Sequence, residues 1–266
     1  MKPILCQVGS LVIPSYLAML VVGTCVLIWL STVAAERHSL PRHHMALLSV
    51  MLYAAGLVGA RLLFVVEHYW LYPNPLQAAL SPFPGGFASH GSFLLATLAA
   101  ILYAKWFQLP LGKVGDSTAI GLCLFGALMR LGCFLGGCCY GRPTSLPWGV
   151  VFPQGSEPAA RWGFGVPIHP TQLYEAGYLI GIGVLLFLSE KQQKFAGEKF
   201  LLLVLTYSVA RFLNEFVRGD SLLEFWGLSP AQWMSLAMVV ISLGLMEYGK
   251  KISRSTSSEC TTALTA

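Results

Sequence analysis

The sequence predicts an all-α fold: a polytopic membrane protein with seven transmembrane helices and a small head and arm region outside the bilayer. Three observations carry that prediction. First, the 266 residues are 55% hydrophobic and only 11% charged, whereas a soluble domain is about a quarter charged. Second, seven apolar stretches stand out, at about 11–34, 46–68, 87–107, 115–137, 173–189, 198–217 and 231–248. Each is near the roughly 20 residues that a helix needs to cross a bilayer. Third, lysine and arginine are distributed unevenly between the connecting segments, as membrane topology requires. The formal charge of +5 is modest, and no nucleic-acid partner is expected.

Taken in order, the first stretch, Leu11 to Val33, is too long for the apolar core of a signal peptide, and further spans follow it. A basic loop with Arg37, His38, Arg42, His43 and His44 leads to the second span. A Pro/Gly-rich segment, 69–89, separates spans two and three, and a longer one, 138–171, separates spans four and five. Residues 1–252 therefore read as one transmembrane domain, and 253–266 as a polar, Ser/Thr-rich tail expected to be disordered. The seven cysteines are unevenly spaced, and no disulfide framework is read from them.

Seven spans put the termini on opposite sides. With the N-terminus outside, the inner segments hold Arg37, Arg42, Lys105, Lys113, Lys191, Lys194, Lys199, Lys250, Lys251 and Arg254. The outer segments hold only Lys2, Arg142, Arg161 and Arg218. That bias predicts an outer N-terminus and a cytoplasmic C-terminus.

Arg61, Arg130 and Arg211 remain, all within spans. An arginine at the bilayer centre costs at least about 2.5 kcal/mol, so each needs a reason. All three lie on spans that run outward, about seven residues short of the outer end, or roughly 10 Å deep. One such arginine would snorkel or pair with an acid; Glu67, Glu175 and Glu215 are the candidate partners. Three at one level, with Arg142 and Arg218 just above, favour a bound anion. A phospholipid phosphate is the anion available there, and arginine binds phosphate bidentately.

On the sixth span, Tyr207, Arg211, Asn214, Glu215 and Arg218 recur at offsets of three and four and share one helical face. That face points into the bundle, where Arg211 and Glu215 can also pair. His90 opens the third span at the outer end, in Gly85-Gly86-Phe87-Ala88-Ser89-His90-Gly91. Beside a phosphate pocket it is a candidate general base, its ordinary pKa of about 6.5 suiting it to take a thiol proton; an interfacial hydrogen bond is its alternative role. His169 stands in His169-Pro170-Thr171-Gln172-Leu173-Tyr174-Glu175, where the chain re-enters the membrane, as a binding residue or a hinge. His68 reads as interfacial, and His38, His43 and His44 as loop residues.

The densest segment is Arg130-Leu131-Gly132-Cys133-Phe134-Leu135-Gly136-Gly137-Cys138-Cys139-Tyr140-Gly141-Arg142-Pro143. Its glycines admit close backbone approach. Its cysteines lack the paired C-x2-C spacing of a zinc site and read as small packing residues.

This run, continued through Trp148-Gly149-Val150-Val151-Phe152-Pro153, resembles the signature of prolipoprotein diacylglyceryl transferases. So do His90-Gly91, the His169–Glu175 run, the Tyr207–Arg218 face and Ser229-Pro230-Ala231-Gln232, in order and in register from Tyr16 onward. The resemblance implies a multi-pass enzyme of the bacterial inner membrane, with 69–89 and 138–171 periplasmic. It implies transfer of the diacylglyceryl group of phosphatidylglycerol to the lipobox cysteine of a prolipoprotein signal peptide, with glycerol phosphate released. By position, His90, Arg130 and Arg211 are implied as catalytic. Tyr16, Arg61, Gly141, Arg142, His169, Gln172, Tyr174, Glu175, Tyr207, Asn214, Glu215 and Arg218 are the expected lipid-site residues. No metal and no organic cofactor are expected.

Three positions depart from the family pattern. Cys133 and Gly136 stand where Asn is usual, and Cys138 stands where Glu is usual. Two alternatives follow: the same lipid donor with a different acceptor, or a non-catalytic lipid-binding or transport protein. A transporter would more naturally show inverted repeats and broken helices at the midplane, and no repeat is seen.

Overall fold

The chain opens as an antiparallel hairpin, β1 (Ile4–Val8) and β2 (Leu11–Pro14), and then turns into the first long helix. In the computed structural model, residues 1–8, 11–72, 74, 89–220 and 225–265 are described. The long helices are α1 (Ser15–Arg37), α2 (Arg42–Glu67), α3 (Ser89–Trp106), α4 (Leu111–Gly136), α6 (Thr171–Leu188), α7 (Glu198–Glu215) and α8 (Pro230–Thr265). A one-and-a-half-turn helix, α5 (Glu157–Trp162), lies in the head with two short strands, β3 (Val150–Val151) and β4 (Pro167–Ile168).

Proline sets where these helices start. Pro14, Pro41, Pro110 and Pro170 stand at the N-caps of α1, α2, α4 and α6. A proline there forgoes no helical hydrogen bond, and it disfavours helix in the residue before it. Pro14 also corrects one expectation: Leu11–Pro14 is strand, and the first helix starts at Ser15, not at Leu11. The last helix differs too. It continues to Thr265, through the segment expected to be a disordered tail. No glycine or proline follows Gly249 to stop it.

Among the described residues, five helices are long and apolar enough to cross a membrane: α1, α2, α4, α6 and the Pro230–Ser255 part of α8. That makes the chain a multi-pass membrane protein. Of the other two, α3 offers the shorter apolar stretch Gly91–Trp106. The eighteen residues of α7 include Glu198, Lys199, Arg211 and Glu215. Large apolar side chains, among them Trp29, Val66, Leu102, Leu188 and Val240, face outward and exposed, as lipid-facing side chains do.

Helix α4 is the hub, packed against α1, α6 and α7. Small residues permit this closeness. Ala119, Cys123 and Ala127 of α4 are buried with Ile182, Leu186 and Leu203 or with Ala176 and Leu179. The α2–α3 crossing is tighter still. A Cβ on Gly59 would strike the Gly91 carbonyl, and one on Gly91 would strike the Gly59 carbonyl. The end opposite the head is held by polar groups. Asp116 of α4, 1% exposed, accepts hydrogen bonds from the backbone N–H groups of Gly197 (2.6 Å) and Phe200 (3.0 Å) and from the Gln193 amide. Its carboxylate thus caps the N-terminus of α7, where orphan donors and the helix dipole favour a negative charge.

Candidate functional site

The head brings the ends of α4, α6 and α7 together through one strip of backbone. The Gly141 N–H donates to the His169 carbonyl (3.1 Å), and the His169 N–H donates back to the Arg142 carbonyl (3.0 Å). On the other side, Arg142 N–H reaches the Val217 carbonyl (2.8 Å), and Gly219 N–H reaches the Tyr140 carbonyl (2.9 Å). Residues 140–142 therefore run between 168–169 and 217–219. Only glycine fits at the centre, because a Cβ on Gly141 would meet the backbone of both His169 and Val217. This strip fixes the relative depth of three segments that are far apart in sequence.

Below it lies a buried charge cluster. Arg130 of α4 pairs with Glu175 of α6, Nε to Oε1 3.0 Å, and Glu175 is almost wholly enclosed. The Tyr207 hydroxyl of α7 donates to the same oxygen at 2.9 Å. On α7, Arg211 pairs with Glu215, and Arg218 Nε lies 3.4 Å from that carboxylate. Arg218 also binds Asp220, Nη2 to Oδ2 2.6 Å, and Arg142 Nε donates to the Arg218 carbonyl at 3.0 Å. The two groups adjoin, since Arg130 and Arg211 both act electrostatically on the Tyr207 hydroxyl. Among the described residues, four guanidiniums against three carboxylates leave this cluster a formal charge of +1.

Several buried polar atoms around this cluster have no hydrogen-bond partner among the described residues: Glu175 Oε2, Gln172 Oε1, Asn214 Oδ1 and the Tyr178 hydroxyl. Buried polar groups are normally satisfied, and a concentration of exceptions marks a place that other polar groups complete. A net positive, partly unsatisfied cluster at a helix-bundle end can hold an anionic headgroup.

Most expected residues converge here. Arg130, Arg142, Glu175, Tyr207, Arg211, Glu215 and Arg218 form the cluster, and Asn214 approaches the Thr171 carbonyl at 3.5 Å. Gln172 donates to the Cys138 carbonyl at 2.7 Å, so it anchors the cysteine loop. His169 Nδ1 lies 3.1 Å from the Tyr174 hydroxyl, and burial holds His169 below the ordinary histidine pKa of 6.5. Tyr16, in the first turn of α1, packs on Gly132 of α4. Arg61 is buried on α2, with its guanidinium 6.0 Å from the centroid of the Phe64 ring. His90 is in the first turn of α3; its side chain lies outside the described residues, as do residues 75–88 of the arm.

The site also uses residues that the sequence reading passed over. The Trp148 indole N–H donates to the Tyr174 hydroxyl at 2.7 Å, and Thr171 Oγ1 donates to the Cys139 carbonyl at 2.8 Å. Asp220 anchors Arg218, and the Tyr178 ring lies 6.0 Å from the Tyr207 ring. The spacing of Glu175 and Tyr178, three residues apart on one helical face, was the available signal for the last.

Comparison with known proteins accounts for the register of these motifs. Residues 3–248 match the family described as prolipoprotein diacylglyceryl transferase. The chain belongs to that family. It is similar to the phosphatidylglycerol–prolipoprotein diacylglyceryl transferase of Clostridium tetani, with 30% identity over 91% of this chain and 96% of the relative. A Bordetella bronchiseptica protein of the same name is 36% identical over 71% of this chain and 70% of its own length. The Thermosynechococcus vestitus relative is 31% identical over 90% and 88%. The charge cluster thus lies within the part of the chain that defines the prolipoprotein diacylglyceryl transferases.

Proposed function

We propose that this chain transfers the diacylglyceryl group of phosphatidylglycerol to the lipobox cysteine of a prolipoprotein, at the outer leaflet of the bacterial inner membrane. All seven long helices cross the bilayer in this reading, with the N-terminus and the head outside and the C-terminus in the cytoplasm. One observation carries it beyond family membership: partly buried guanidiniums from α4 and α7 gather at the head end, with an excess positive charge among the described residues. A phosphatidylglycerol phosphate, with one negative charge, neutralises that excess.

The chemistry follows from the charge. The cysteine sulfur attacks the terminal glycerol carbon of the diacylglyceryl group; a carbon–sulfur bond forms and the bond from that carbon to the phosphate oxygen breaks. Glycerol phosphate leaves with the electron pair and a growing negative charge. Arg130 and Arg211 stabilise that charge from fixed positions, which costs no reorganisation at the moment of reaction. A free thiol has a pKa of about 8.5, so its proton must be taken. His90 is the base that takes it, assisted by the local positive field. Glu175 and Glu215 hold the two arginines in place. Tyr16, Arg61, Gly141, Arg142, His169, Gln172, Tyr174, Tyr207, Asn214 and Arg218 shape the lipid site.

The test is a reconstituted assay with phosphatidylglycerol and a lipobox peptide, following peptide lipidation and glycerol phosphate release together. Equal amounts of both products support the reading. Release of glycerol phosphate without lipidated peptide points to another acceptor, which the departures at Cys133, Gly136 and Cys138 favour as the second reading.

A further inference from the structure

At the end of α4, three cysteines that are spread over seven residues come together. The Sγ atoms of Cys133, Cys138 and Cys139 all lie within 4.8 Å of one another. The helix cap explains how. Gly137, at φ +83°, ends α4 in the left-handed conformation, and the N–H groups of Gly137 and Cys138 both turn back to the Cys133 carbonyl, at 2.8 and 3.2 Å. That turn folds Cys138 and Cys139 back over Cys133.

The loop is held in this shape from outside. Thr171 donates to the Cys139 carbonyl at 2.8 Å, and Gln172 donates to the Cys138 carbonyl at 2.7 Å. Cys139 itself sits at φ +60°, a conformation that non-glycine residues rarely adopt and that persists where the surroundings impose it. The three thiols are free, and Cys133 is buried. Packing alone would ask for three small apolar groups, not for a strained backbone that gathers three sulfurs.

From this geometry we infer that Cys133, Cys138 and Cys139 form a trigonal site for a soft, thiophilic monovalent metal ion, of which copper(I) is the representative. Thiolate ligands select such ions, whereas zinc in structural sites takes four ligands and the cluster has three among the described residues. Each cysteine gives its thiol proton to solvent as its sulfur–metal bond forms, so the loaded site carries a formal charge of −2. Arg130 and Arg218 lie within electrostatic reach of Cys139 and offset that charge. The inference does not rest on the transferase reading, because it concerns three thiols to which that reading gives no role.

The experiment uses the full-length protein, reduced and kept anaerobic in detergent micelles, with copper(I) presented as its complex with a coloured chelator. The protein is expected to take up one equivalent, and copper-edge X-ray absorption is expected to show three sulfur neighbours. Cys133→Ser, Cys138→Ser and Cys139→Ser should each weaken uptake by about 100-fold or more, beyond the 10–100-fold carried by residues outside the ligand set. Cys25→Ser, on the outer face of α1, should leave it unchanged. No uptake by the parent, fewer than three sulfur neighbours, or undiminished uptake in all three variants would overturn the site. So would zinc bound in preference to copper(I). The absorption measurement is made on the parent and stands even where a variant fails to fold.

Discussion

Arg130 and Glu175 bridge α4 and α6 through an ion pair of 3.0 Å, with Glu175 only 1% exposed and Tyr207 of α7 donating to the same carboxylate oxygen. One carboxylate thus ties three helices together and aims the guanidinium on which the proposed transfer depends. Removing it takes from the partly buried Arg130 its ion-pair partner among the described residues.

Glu175→Gln is therefore expected to destabilise the protein by an amount at the lower end of roughly 3–5 kcal/mol, because Arg130 retains 20% exposure. Thermal unfolding in detergent checks this. Tyr207→Phe should cost less alone, and the double variant should show a coupling of roughly 0.5–3 kcal/mol. Strict additivity would mean that the two side chains do not share the oxygen.

Gly141→Ala is expected to destabilise the head by roughly 1–3 kcal/mol, since the added methyl meets backbone rather than a mobile side chain. Turnover should fall with it, because the same strip places Arg142 beside Arg218. Gly177→Ala is the contrast: none of the described residues lies within 4 Å of its Cβ position, so stability should hold or rise slightly. Limited proteolysis and melting of both variants give the comparison.

Asp116→Ala removes the acceptor for two backbone N–H groups at the start of α7, that of Gly197 buried and that of Phe200 partly so. The expected cost is about 1–3 kcal/mol per unsatisfied group. The melting temperature should drop, with phosphatidylglycerol affinity retained, since the residue lies at the end opposite the site. Equal loss of lipid affinity in the folded variant would contradict that separation.

Burial depresses the pKa of His169 below 6.5, so the folded state favours the neutral ring. Its contribution to stability is present above pH 6.5 and is lost as the pH falls through the folded-state pKa. The parent should therefore lose thermal stability on acidification below pH 6.5 more steeply than His169→Asn does. Parallel slopes for the two proteins would show that His169 does not carry the dependence.

How much of this was legible in the sequence depends on the scale of the feature. All seven long helices overlap apolar stretches of the sequence; among the described residues five are long and apolar enough to cross a membrane, and a run of that length leaves the backbone no other way to satisfy its hydrogen bonds in a bilayer. Their starts are less legible: Leu11–Pro14 is apolar yet is strand, since Pro14 ends one element and begins another. Periodicity revealed the face of α7, and Arg211 and Glu215 are neighbours as their spacing indicated. The Arg130–Glu175 pair joins residues 45 apart in sequence. Their residue types were visible, but no local spacing names the partner. The cysteine cluster was the least legible: its spacing in the sequence suggested packing, and only the left-handed turn at Gly137 brings the sulfurs together.

The central claim is that partly buried arginines on α4 and α7 stabilise the departing phosphate while a thiol takes the diacylglyceryl group. Its most direct measurement is coupled product formation by the purified protein in phosphatidylglycerol micelles with a lipobox peptide, beside Arg130→Ala and His90→Asn. The account predicts equimolar lipidated peptide and glycerol phosphate from the parent. It also predicts loss of turnover in both variants, with lipid binding kept in His90→Asn. Phosphatidylglycerol binding by the parent with neither product formed would contradict it.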